Sequence, residues 1–73
     1  MFIKNIKVFL ANLKDWRTTL GITQEEAGKV IGVTKSGYAK KEAGTRPISY
    51  NEAYELIMFF NDKDLQQEAE KNA

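Results

Sequence analysis

The chain predicts an all-α fold organised around a helix-turn-helix, and three observations lead there. Apolar residues recur at three- and four-residue steps along most of its length. Residues suited to capping helices, Thr23, Thr34 and Ser49, open successive apolar runs, and a glycine, Gly21, Gly32 or Gly44, comes shortly before each. The stretch from Gln24 to Pro47, QEEAGKVIGVTKSGYAKKEAGTRP, has the spacing of two short helices joined by a tight glycine turn. At 73 residues the chain makes one domain, small enough to bury only about 60% of its unfolded-chain surface.

The elements follow in order. Ile6, Phe9, Leu10, Leu13, Trp16 and Leu20 fall on one stripe of a first helix ending at Gly21, with Lys7, Lys14 and Thr18 largely outside it. Thr23 caps a second helix over residues 24–31 and forms a capping box with Glu26. That helix offers Ala27, Val30 and Ile31 to the core, while Gly28 leaves room for a neighbouring backbone. Gly32 supplies the positive φ of the turn.

Thr34 caps a third helix reaching Ala43, closed by Gly44 and barred from restarting by Pro47. Its apolar stripe is thin: Tyr38, helped by Val33 and Ala39, supplies the buried area, and the next inward position is Lys41, which can bury its stem. Ser49 and Glu52 form another capping box and open a fourth helix through Phe60, with Ala53, Leu56, Ile57 and Phe60 facing inward. Tyr54, Met58 and Phe59 exceed one stripe, so this helix needs a second surface to cover it. Phe59 is the candidate protein-interface residue. The structured domain is expected over 1–61, and 62–73, with one leucine among many charges, reads as a polar, acidic tail, a frayed helix or a disordered segment.

Composition removes several function classes. Without cysteine there is no disulfide framework or thiolate metal site, and without histidine the commonest metal ligand and general base are gone. Asp62 and Asp64 fall in the polar tail, and Glu25 and Glu26 point to different faces, so no catalytic or metal-binding set forms and no cofactor is expected. Lysines interrupt the apolar N-terminus, MFIKNIKVFLANLKDW, which argues against a signal peptide or membrane span and for a soluble, cytoplasmic protein. The net charge of +1 hides an asymmetry. Residues 1–46 hold nine basic and four acidic side chains, whereas 47–73 hold two and six.

Over roughly residues 10–61 the chain resembles the Cro and phage-repressor type of helix-turn-helix regulator, the XRE family. The match rests on Leu13 and Arg17 in the first helix, Gln24 opening the second, Gly32 eight residues later, and Glu42, Gly44 and Pro47 closing the third. The resemblance implies a compact, lambda-repressor-like bundle of four or five helices, with the third helix in the major groove of double-stranded DNA and a transcriptional role in a bacterium, phage or plasmid. It places Gln24 near a phosphate, Thr34 at a cap touching the backbone, Lys35, Ser36 and Lys40 at base edges, and Lys41 and Arg46 along the phosphate track.

These residue types suit such roles. Lysine donates to guanine O6 and N7, a serine hydroxyl donates or accepts, and contacts to phosphate set the register that base contacts then read. A homodimer would hold two third helices about 34 Å apart, one turn of duplex. The alternative is an adaptor of the same fold, encoded by a phage, that regulates transcription by docking on a host protein such as RNA polymerase. Departures from the family pattern at Gly37, Tyr38 and Lys41 motivate it.

Overall fold

A computed structural model describes residues 6–71. They form α1 (Ile6–Thr19), α2 (Gln24–Val30), α3 (Lys35–Ala43) and α4 (Tyr50–Lys71), with no strand among the described residues. The number of helices is thus the lower of the two expected. The starts of α2, α3 and α4 are fixed by the residues the sequence nominates. Thr23 Oγ1 accepts from the Glu26 amide at 3.1 Å, and the Glu26 carboxylate accepts from the Thr23 amide at 3.4 Å. Thr34 Oγ1 accepts from the Gly37 amide at 3.0 Å. Ser49 and Glu52 exchange bonds of 3.1 and 2.9 Å. Such caps satisfy amides that the first helical turn leaves without partners, each worth about 1 kcal/mol.

The α2–α3 turn is tight in two senses. Gly32 adopts φ 74°, which a side chain would strain. Gly28 lies so close to the departing chain that a methyl group there would meet the Val33 carbonyl oxygen at 2.8 Å and that of Thr34 at 3.2 Å. The expected close approach is therefore between α2 and the turn leading into α3.

Leu13, Leu20, Ile22, Ala27, Tyr38, Leu56 and Phe60 form the core, so all four helices and the α1–α2 corner contribute. Trp16 meets Phe60 edge-on, ring centroids 5.5 Å apart, an arrangement that suits the ring quadrupoles. Two expected inward residues lie at the edge instead: Ile6 is 40% exposed and Ile57 38%. Ile6 begins α1, beyond reach of the helices that cover Leu10 and Leu13. Ile57 sits on the flank of α4, whose inner line is Ala53, Leu56 and Phe60.

The fourth helix does not stop at Phe60. It continues through the segment 62–71 to Lys71. No glycine or proline interrupts NDKDLQQEAEK, and lysine, glutamine, glutamate and alanine are good helix formers. The Gln67 amide, moreover, donates to the Leu20 carbonyl at 2.8 Å, tying the far end of α4 to the α1–α2 corner. At 22 residues α4 is about 33 Å long.

Candidate nucleic-acid interface

The inner side of α3 is held by an ion pair buried beneath it. Arg17 of α1 donates from Nε and Nη2 to the two Glu42 carboxylate oxygens at 2.8 and 3.0 Å, and from Nη1 to the Ile22 carbonyl at 2.8 Å. The two side chains are 9% and 3% exposed. Burial by itself would push the Glu42 carboxyl up. The Arg17 hydrogen bonds and charge, with the Tyr38 hydroxyl and the Gln24 amide nearby, outweigh it and hold the group below its usual range. Arg17 is correspondingly held more firmly protonated, chiefly by its bond to Glu42.

Tyr38 fills the space beside this pair and is fully buried. Its hydroxyl makes no hydrogen bond of good geometry. Burial first, and the neighbouring Glu42 second, push its pKa well above the ordinary phenol value. Tyrosine at position 38 thus serves packing under α3.

Lys41 is where the interface differs from expectation. Its residue is only 9% exposed, and its ammonium donates to the Pro47 carbonyl at 3.0 Å and to Glu52 Oε1 at 2.9 Å. The stem is buried and the charge is spent on fastening α3 to the start of α4, so Lys41 does not stand on a phosphate track. Glu52 benefits in turn. Partial burial raises its pKa, but the Ser49 amide and Lys41 together bring it below the usual carboxylate value.

The outward side of α3 is open. Thr34, Lys35, Ser36 and Lys40 are exposed, Ala43 is exposed, and Ala39 is half-buried. At 100° per residue Ser36, Ala39, Lys40 and Ala43 share one crest, with Lys35 on its margin. The other margin belongs to Arg46. The C-terminal Lys40 carbonyl accepts from the amides of Thr45 and Arg46 at 3.0 and 3.2 Å and from Thr45 Oγ1 at 3.1 Å, which turns the chain back beside its own helix. The Arg46 guanidinium then lies over Gly37: a methyl group at that glycine would sit 3.3 Å from both Arg46 Nη1 and Thr34 Oγ1. Glycine at position 37 makes the space that brings Arg46 alongside the capped first turn of α3.

Gln24, half-buried at the first position of α2, lies near the Glu42 carboxylate and adds slightly to the lowering of its pKa. Phe59 is half-buried against the core, its ring 6.1 Å from that of Phe60 and overlain by the Lys63 ammonium at 5.7 Å. It belongs to the bundle more than to an interface. Sequence reasoning passed over Lys7 and Lys14, which line, together with Arg46, a groove of about 490 Å³ floored by Leu10 and Ile48. The excess of positive charge before residue 47 was the signal for them.

Among the described residues no three histidine, cysteine or acidic side chains gather as a metal site would require, and no helix is long and apolar enough to cross a membrane.

A capped helix held at its back by α1, following a seven-residue helix and a glycine turn, defines the class: a small helix-turn-helix protein. The family model described as helix-turn-helix matches residues 13–67, and the chain belongs to that family, of the Cro and phage-repressor (XRE) type, whose members are DNA-binding transcription regulators. No curated protein and no solved structure matches it.

Proposed function

We propose that the chain regulates transcription in a bacterial, phage or plasmid setting, in the cytoplasm, by laying α3 in the major groove of an operator. One observation carries this reading: α3 is locked on its inner side by Arg17, Glu42, Tyr38 and Lys41, while its opposite side presents an unobstructed crest with Lys35 and Lys40. Small residues on that crest, Ser36, Ala39 and Ala43, let the helix approach base edges closely, and alanine suits the thymine methyl group. Lys35, Ser36 and Lys40 read bases. Thr34, Gln24 and Arg46 contact the backbone, and Lys7 and Lys14 extend the cationic track beyond Arg46.

The reading suits the three departures from the family pattern. Tyr38 and Lys41 are committed to the bundle, and Gly37 seats Arg46. A dimer would present two such helices to half-sites about 34 Å apart.

The test is fluorescence anisotropy with operator duplexes selected from a random pool, against scrambled duplexes, across a salt series. Binding by this surface gives a log–log salt slope near −0.9 per phosphate neutralised, steeper in the native chain than in Arg46→Ala. A slope near zero, or equal affinity for selected and scrambled duplexes at every salt concentration, would overturn it.

A further inference from the structure

The fourth helix is apolar on two opposite sides, and the fold covers one of them. Ala53, Leu56 and Phe60 are buried. About 130° around the helix, at 100° per residue, lies a second line: Tyr50, Tyr54, Met58 and Leu65, with Ile57 beside it. These are 48%, 57%, 51%, 58% and 38% exposed. The line extends over more than four turns, through Asn61. Single exposed apolar residues are ordinary on a protein surface, but a stripe of them along one helix, broken only at Asn61, marks a surface that something else covers.

The charges beside the stripe select the occupant. Glu55 and Asp62 border it on one side, and Asp64 and Glu68 fall on the other. Lys63, the one basic side chain described on α4, is turned away, its ammonium over the Phe59 ring. A second copy of the chain would bring the same acidic borders against each other, because a two-fold interface is self-complementary. Phosphates of a nucleic acid or of an anionic membrane meet the same repulsion. A helix with an apolar stripe and lysine or arginine on its flanks meets none of it: the stripes interdigitate as in other helix-on-groove complexes, and the flanking charges pair as they do beside a coiled-coil seam.

We propose that the outer face of α4 is a docking surface for a cationic amphipathic helix of another protein. The anchors are Tyr54, Met58 and Leu65, and Glu55, Asp62, Asp64 and Glu68 set the charge preference. The inference does not depend on how α3 is used.

The probe is a fluorescein-labelled synthetic helix of about five turns with leucine at stripe spacing and lysine on both flanks, titrated with the full chain. A partner probe carries glutamate at every lysine position. The expected result is saturable one-to-one binding of the lysine probe and none of the glutamate probe. Tyr54→Ser with Met58→Ser should weaken the lysine probe about tenfold or more, as loss of central anchors does. Glu55→Lys with Asp62→Lys should reverse the charge preference. All four residues are exposed, so circular dichroism should stay native, and operator binding should not change in Tyr54→Ser with Met58→Ser, which alters no charge. Equal binding of both probes, an undiminished affinity in the Tyr54/Met58 variant, or a dimer in sedimentation that the same variant dissociates would each overturn the proposal.

Discussion

Replacing the Glu42 carboxylate by an amide of the same shape, Glu42→Gln, leaves the Arg17 guanidinium buried beside a neutral partner, and breaking a buried pair in this way costs about 3–5 kcal/mol. Denaturant unfolding would read the loss directly. The same group sets an acid limb. Because its pKa is lower folded than the ordinary 4.5, its contribution is complete above that unfolded value and drains away as pH falls through it towards the folded value. Thermal midpoints of the native chain taken from about pH 6 to 2 should fall more steeply than those of Glu42→Gln. On the outer side, Lys35→Ala or Lys40→Ala should cost about 1–3 kcal/mol on the preferred operator and relax its sequence preference, whereas Arg46→Ala should weaken all duplexes alike. Competition binding with point-substituted duplexes separates the two. The residues of the buried pair stand out in the sequence as positions 17 and 42, but nothing in a linear pattern says that side chains 25 positions apart meet. Lys41 was misplaced for a related reason: its helical position points inward, and only the arrival of the Pro47 carbonyl and Glu52 decides that its charge stays there.

Helices were legible where caps and glycines mark them. Thr23, Thr34 and Ser49 each open the helix they were expected to open, because cap chemistry is local to four residues. The end of α4 was not legible, since charge-rich composition describes a solvated helix as readily as a loose tail, and the deciding bond, from Gln67 to Leu20, is long-range. The α2–α3 turn permits a sharp test. Gly28→Ala would improve helix propensity by about 1 kcal/mol, yet its methyl group would lie 2.8 Å from a backbone carbonyl oxygen that cannot swing aside. A net loss of about 1–3 kcal/mol is expected, as for other overpacked sites, seen as a lower thermal midpoint.

Across the whole molecule, positive charge collects before residue 47 and negative charge after it, so the chain is closer to a dipole than to a uniformly basic particle. On the proposed reading the basic side chains attract a duplex and the acidic side chains of α4 repel it, which biases encounters towards the orientation that presents α3. Reversing Glu55 and Asp62 together should therefore raise affinity for scrambled duplex at low salt while leaving the preference for operator over scrambled sequence at high salt unchanged, a comparison that anisotropy makes in one titration.

The bond from Gln67 to Leu20 closes a loop of 47 positions, and a closure of that length is entropically costlier than any turn within the bundle. It can form only once α4 has packed against the α1–α2 corner, and as a single bond near the end of its helix it should open ahead of the core. In native-state amide exchange the last turns of α4 would lose protection ahead of the core. The molecule thus carries a clasp at its rim, set apart from the core that holds the four helices together.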